Sequence, residues 1–297
     1  MSIRKVVIPV AGAGTRLLPV TKSQPKEMLP VGRKPVVQYV VEEAQRAGLS
    51  QICFVTGREK YAIENHFDRD PDLIRKLIQA EKTQILGELD YEEMGVSFLY
   101  VRQSEQKGLA HAIGMGEDFV GSEPFVCSLG DSIIWHDAEG SFLARMVEIH
   151  EREGADVTVA VEDVPETQAH HYGIVKPRGD VEGEHFELAD LIEKPAPGHA
   201  PSTKAIAARY VFSPGIFEAI RRTVPDSAGE MQITDSIRNL VNAGRKVLAV
   251  PLGEGERRYD IGNFESYFRA FVDFAMNDEK YGYTLRQYLT KKMTGEE

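Results

Sequence analysis

The sequence predicts an α/β fold: one large domain on a mixed, mostly parallel central sheet flanked by helices. Three observations carry this expectation. Short apolar runs alternate with longer amphipathic ones through the first half, as strands buried between helices do. The second half carries four strand-like runs separated by turns, which calls for mixed or antiparallel pairing. The 297 residues are enough for a large core and contain no internal repeat or low-complexity linker, so one continuous unit spans 1–297.

Taken in order, Val6–Val10 is the first strand. Pro35 to Ala47 follows as a helix, with Pro35 in the first turn, where its missing N–H costs nothing, and Gly48 as the stop. "QICFVT" is a second buried strand and "YAIENHF" a helix; residues 68 to 95 are charged and mostly helical, a surface excursion. "VSFLYVRQ" is strand-like, "LAHAIGMGEDFV" helical, and "PFVCSLGD" a third strong strand that ends on a carboxylate. Beyond it "ADVTVAVED", "YGIVKP", "FELADLIEKP" and "KAIAARYVF" read as strands, and "PGIFEAIRR" and "EMQITDSIRNLVNAG" as helices. After "RKVLAVPLG" and "RRYDIGN", one long helical tail is expected from Phe264 to about Lys292.

Composition narrows the function. Asp and Glu outnumber Lys and Arg by 46 to 35, a formal charge of −11, which argues against generic binding to nucleic acid or an anionic membrane. A local basic pocket remains compatible with it. No apolar stretch reaches the roughly 18 residues of a membrane span and no charged-then-apolar leader follows Met1, so a soluble, cytoplasmic protein is expected. Cys53 and Cys127 lie in apolar strand-like runs, as buried free thiols in a reducing compartment do. The eight histidines lack the spacing of a zinc site.

The loop after the first strand, "AGAGTRLLPVTKSQPKEMLP", is the strongest functional signal. Gly12 and Gly14 permit a sharp turn whose successive N–H groups can cradle a phosphate. A dinucleotide-binding loop would have a third glycine where Leu17 stands and a helix where Pro19 and Pro25 forbid one. A P-loop would close on G-K-[ST], which is absent. Arg16 offers a rigid fork and Lys26 a point charge to several phosphate oxygens, on a loop that three prolines keep extended.

The run "GAGTRLLPVTKSQPKEMLPVGRKP" closely resembles the signature loop of bacterial sugar-1-phosphate nucleotidylyltransferases, and its T-K-x-x-P-K-E-M-L-P part is similar to the branch that uses UTP and glucose 1-phosphate. "KPVVQYVVEEAQRAG", "IENHFD", "VRQSEQKGLAHAI", "YGIV", "IEKP", "ARYVF", "EMQITDSI" and "YDIGN" follow in the family's order along most of the chain. The family more often has an aspartate near Arg33-Lys34, a cysteine at Ile261, and a glycine or alanine at Ser128. None of these departures removes a charged site residue. The resemblance implies a single Rossmann-like nucleotidyltransferase domain with an antiparallel sugar-binding excursion. Its nucleotide-binding half would cover about 1–135, its sugar-phosphate half about 136–262 and its helical tail about 263–297. It also implies homo-oligomers, dimers or tetramers.

Candidate site residues follow. Asp131 sits where a strand ends, in "SLGDSII", and ligands bind at the carboxyl ends of strands in open α/β sheets. Asp260 ends another strand-like run, in "YDIGN". Two carboxylates from distant segments suit Mg²⁺, a hard ion that keeps several waters. On the residues alone, a D-x-G after a strand is more often a turn; the resemblance implies a metal pair. Gln103 can give a donor and an acceptor to a pyrimidine edge, and Gly108 lets backbone approach the base; a solvated strand end and a helix-start turn are the plain alternatives. The resemblance adds Ala11, Thr15 and Glu27 to Gly12 and Gly14 as nucleotide-binding residues. Tyr172 and Gly173 in "YGIV", with Glu193 and Lys194 in "IEKP", are the sugar-phosphate candidates. Glu193 and Lys194 can serve one pocket only if the strand ends or bends between them. His170 and His171 read as a solvated turn.

The implied reaction transfers UMP from UTP to glucose 1-phosphate, giving UDP-glucose and pyrophosphate. It would place Arg16 on the β- and γ-phosphates, Lys26 between the α-phosphate and the sugar phosphate, and Lys194 on the incoming phosphate. Three alternatives stand beside it. One is the same chemistry with dTTP or galactose 1-phosphate. Another is a catalytically silent nucleotide-sugar sensor, against which Lys26 and both aspartates argue by being present. The third is a dinucleotide-dependent oxidoreductase, against which the missing third glycine argues.

Overall fold

The computed structural model describes residues 3–136 and 141–295. Its strands are β1 (Lys5–Pro9), β2 (Pro30–Val31), β3 (Lys34–Pro35), β4 (Gln51–Thr56), β5 (Ser97–Arg102), β6 (Phe125–Ser128), β7 (Ser132–His136), β8 (Val157–Asp163), β9 (Gly173–Pro177), β10 (Phe186–Glu193), β11 (Lys204–Phe212), β12 (Val247–Pro251) and β13 (Glu256–Asp260). Its helices are α1 (Val36–Arg46), α2 (Tyr61–Phe67), α3 (Pro71–Gln79), α4 (Thr83–Leu86), α5 (Leu109–Gly114), α6 (Glu117–Val120), α7 (Phe142–Glu153), α8 (Ile216–Arg221), α9 (Ile233–Asn242), α10 (Phe264–Met276) and α11 (Gly282–Thr294).

Nine strands form one sheet in the order β5-β4-β1-β6-β11-β8-β12-β10-β9. Val6, Val7 and Ile8 are fully buried on both faces of β1, which is why that strand reads as a continuous apolar run. β1 pairs parallel with β4 and β6, and β4 with β5, so the carboxyl ends of these four strands share one edge. β11 runs antiparallel to both β6 and β8, which leaves β8, and β12 parallel to it, pointing the same way as β6. The β9–β10 hairpin is antiparallel and reaches back to touch β11, with Ala205 opposite Ile174. The antiparallel excursion is therefore an extension of the main sheet.

Helices cover both faces. Val37, Val40, Val41 and Ala44 of α1, spaced for one helical face, pack with Phe142, Leu143 and Met146 of α7 on one side. Ile113 of α5, Phe217 of α8 and Ile233 and Ile237 of α9 close the other. A third cluster joins Leu17, Leu29 and Val31 of the opening loop to Ile261 and to Ala270 and Phe274 of α10. Among the described residues no helix is long and apolar enough to cross a membrane.

Three local expectations change. "LAHAIGMGEDFV" is two short helices, α5 and α6, because the chain turns at Gly116, where an added Cβ would lie 2.9 Å from Val7 Cγ2. The tail is two helices, α10 and α11, since the Asp278 carboxylate accepts from the amides of Lys280 and Tyr281 and from Arg33 Nε at 2.7 Å, turning the chain between them. β7 was not visible in the sequence; it pairs with β13 in a separate ribbon that carries Asp260 toward Asp131.

Candidate active site

Where β1 ends, the chain turns through Gly12 and Gly14. Gly14 has φ 66°, the left-handed region that glycine tolerates, and its carbonyl accepts from Thr21 Oγ1 at 2.8 Å. Leu17 is fully buried in the third apolar cluster, so the position a dinucleotide loop gives to glycine here anchors the loop to α10. A Cβ on Gly12 would sit 3.5 Å from Lys26 Nζ, which places the lysine along the glycine backbone. Arg16 and Thr15 are exposed at the outer end of the turn.

Lys26 Nζ donates to Asp131 Oδ2. Asp131 lies just past β6, after Gly130, at whose Cβ position Val10 already packs. Asp260 ends β13 directly opposite Ser132, and the Ile261 amide donates to the Asp131 carbonyl at 2.9 Å. The strand pairing thus brings the two aspartates side by side. At Gly262 a Cβ would lie 2.9 Å from Asp260 Oδ1 and 3.0 Å from Arg16 Nη2, so Arg16 reaches the same corner.

The charges are strongly interdependent. Burial by itself would depress the Lys26 ammonium, but the charges of Asp131 and Glu27, the hydrogen bond to Asp131 and the charge of Asp260 push it above the ordinary lysine value. Burial would raise Asp131, yet Lys26 holds it below the usual carboxylate range. Asp260 goes up, first through burial and then through the neighbouring Asp131 charge. A carboxylate pair in this state gains from a divalent cation. Among the described residues no group of three or more His, Cys, Asp and Glu side chains gathers for a metal, but two carboxylates suffice for a hard ion that keeps waters.

Glu27 stands differently from its expected role. It is 1% exposed, and its carboxylate accepts from Lys60 Nζ at 2.9 Å beneath the loop. Burial raises it above its ordinary value against the pull of Lys60 and Lys26. With Lys60, which also donates to the Gly12 carbonyl at 2.8 Å, it holds the glycine turn in shape from beneath. Gln106 does the same from another loop, its amide donating to the Ala11 carbonyl at 2.6 Å. Neither Lys60 nor Gln106 stood out in the sequence, because only tertiary contact links them to the loop.

Gln103 is buried at the end of β5, its side-chain nitrogen donating to His111 Nδ1 at 2.8 Å. Gly108 has φ 91°, and a Cβ there would collide with the Met231 backbone at 2.6 Å. The close approach that glycine permits is therefore to the segment before α9, whose Met231 amide donates to the Lys107 carbonyl.

Across the sheet, where β9 meets β10, Gly173 pairs with Glu193, and a Cβ on Gly173 would lie 3.0 Å from Glu193 Oε2. Thr234 Oγ1 donates to that oxygen at 2.5 Å. β10 ends at Glu193, and Lys194 takes a left-handed φ of 42°, its amide donating to the Tyr172 carbonyl. This bend sets the Lys194 ammonium 3.6 Å from Glu193 Oε1, with 59% of the side chain exposed. Leu129, Tyr172, Gly173, Glu193, Thr234 and Arg258 line a cavity of about 160 Å³ here. Arg258 of this wall, and Glu162 of the adjoining cleft, joined to it at 2.5 Å, are charged residues that the sequence reading missed. Arg258 could have been found: it lies two residues before Asp260 on a strand, hence on the same face.

The profile of the nucleotidyl transferase family matches residues 5–277, and the chain belongs to that family. Within it, the chain is 41% identical over 289 residues to UTP–glucose-1-phosphate uridylyltransferase 2 of Staphylococcus saprophyticus, covering 97% of this chain and 98% of that protein. Two solved structures agree. A UDP-glucose pyrophosphorylase in complex with UDP-glucose superposes with a TM-score of 0.83 at 36% identity, over 93% of this chain and 100% of that one. A UTP-bound enzyme of the same kind from Acinetobacter baumannii gives 0.88 at 34% identity, over 97% and 99%.

Proposed function

We propose that this protein transfers UMP from UTP to glucose 1-phosphate, giving UDP-glucose and pyrophosphate. The observation that carries the reading is the Lys26–Asp131 contact at the mouth of the glycine turn, with Asp260 and Arg16 in the same corner. The relatives and solved neighbours that carry the same activity in their names support it over nearly the whole chain.

The sugar phosphate needs no general base, because its oxygen is already ionised near neutral pH. That oxygen attacks the α-phosphorus of UTP, and the bond from the α-phosphorus to the pyrophosphate oxygen breaks in line. The residues then act by position and charge. Lys26, held cationic by its carboxylate neighbours, moves no proton; it stabilises negative charge between the two phosphates. Arg16 receives the leaving pyrophosphate on the exposed side of the turn. Lys194 holds the incoming phosphate, while Tyr172, Gly173 and Glu193 hold the sugar, with Glu193 kept in place by Thr234. Ala11, Gly12, Gly14 and Thr15 form the phosphate cradle, and Gln103 and Gly108 lie on the base side. Asp131 and Asp260 are the residues that would hold Mg²⁺, whose double charge would offset the repulsion between two polyanions.

The same reading makes residues 1–135 the nucleotide half, 136–262 the sugar-phosphate half and 263–297 the tail of one domain. It includes a cytoplasmic location, supported by two buried free cysteines. It also includes a homo-oligomer, a dimer or tetramer, supported by the exposed Phe268, Tyr283 and Tyr288 on α10 and α11.

Pyrophosphate release with glucose 1-phosphate and Mg²⁺, measured separately with UTP, dTTP, CTP, ATP and GTP, tests it. UTP is expected to lead, and chelation to abolish the signal. A dTTP preference would overturn the base assignment, and silence with every nucleotide would overturn the reaction.

A further inference from the structure

Arg258 sits where three elements meet. It lies on β13, its Nε donates to Glu162 Oε1 of β8 at 2.5 Å, and its Nη1 is 3.8 Å from Asp260 Oδ2. Its guanidinium also lies 5.2 Å from the centre of the Tyr172 ring, at the start of β9. With 8% of its side chain exposed and two carboxylates beside it, its charge is already offset, so it is poorly suited to bind an incoming phosphate itself. Its planar fork can face a carboxylate on its edge and an aromatic ring on its face at once, which a lysine cannot do. It also lines both the sugar-side cavity and the wider cleft that contains Asp260.

We propose that Arg258 is a positioning residue that locks the sugar wall to the metal-side carboxylate: the Tyr172 ring rests on the same guanidinium that steadies Asp260. This rests on the uridylyltransferase reading above. Binding of the glucose part of the product therefore depends on Arg258, and binding of the uridine diphosphate part does not.

The test is calorimetric titration with UDP-glucose and with UDP in the presence of chelator, on the full chain and on Arg258→Met, which keeps the stem and removes the charged plane. Arg258→Met is expected to weaken UDP-glucose about tenfold and to leave UDP within about twofold. Arg258→Lys, which restores charge without the plane, is expected to bind UDP-glucose as weakly as Arg258→Met. In steady state, Arg258→Met also raises the Mg²⁺ concentration needed for half-maximal rate. Unchanged UDP-glucose binding, or an equal loss for UDP, would overturn the proposal, since a merely structural residue affects both ligands or neither. If Arg258→Met does not fold, Arg258→Lys carries the test: the same selective loss supports the lock and its absence refutes it. A wild-type chain that binds neither ligand would instead sink the underlying functional reading.

Discussion

Arg209 and Lys26 are both cations held against carboxylates, one inside the sheet and one at its carboxyl edge, and they are built in opposite ways. Arg209, on β11, has no exposure, gives two hydrogen bonds to Glu43 of α1, and donates to the Ser132 and Ala208 carbonyls at 2.8 and 3.0 Å. One cation meets one anion, and two carbonyls take two more of its donors. Lys26 keeps 16% of its side chain exposed and faces Asp131, with Asp260 and Glu27 also within its field. The interior pair is sealed from solvent; the edge cluster gathers several charges of both signs and keeps an open side. Closure spends interaction energy on holding strands together, whereas the open cluster keeps its energy for a ligand. The two are connected, since Arg209 braces both ends of the turn that presents Asp131: Ser132 directly, and Leu129 through the Ala208 carbonyl.

If this contrast is right, the two sites fail differently. Arg209→Met leaves Glu43 buried without its counter-charge and is expected to lower unfolding free energy by about 3–5 kcal/mol in urea titration. A loss under about 1 kcal/mol would erase the distinction between the regions. Lys26→Ala should reverse the pattern. Turnover is expected to fall by about 10²–10³, roughly 3–4 kcal/mol of transition-state stabilisation, while the melting temperature stays within a few degrees of the parent. Near-normal turnover in a folded Lys26→Ala protein would remove the lysine from the mechanism. The smallest effect concerns Ser128, at the end of β6 between the two regions. Its buried Oγ has no hydrogen-bond partner among the described residues. Ser128→Ala is expected to stabilise by about 1 kcal/mol with turnover unchanged, measured by the same urea titration. Destabilisation would mean that the hydroxyl is satisfied after all.

The glycine turn, Arg16, Lys26 and Asp131 were legible in the sequence because their signals are local. Glycines need a turn, prolines exclude a helix, and a carboxylate at a strand end lies where ligands bind. The sheet was legible for the same kind of reason, since strands buried on both faces read as unbroken apolar runs. The placing of Glu27 was not legible, because its chain neighbour Lys26 reaches Asp131 whereas its own side chain turns under the loop to Lys60. At Gly108 the glycine signals a close approach without saying what approaches, and the fold places the Met231 backbone there.

The sequence by itself determined an α/β protein with a phosphate-holding loop after its first strand and two carboxylates spaced 129 positions apart, at 131 and 260. Periodicity and turn chemistry act over a few residues, and a single chain displays them without folding. Only the tertiary structure decided that these carboxylates are neighbours, since the β7–β13 pairing places Asp260 opposite Ser132. It alone also decided that Glu43 and Lys60 serve as struts and that Arg258 joins Tyr172 to Asp260. Burial and charge pairing depend on which segments meet, and that is set by packing across the whole sheet.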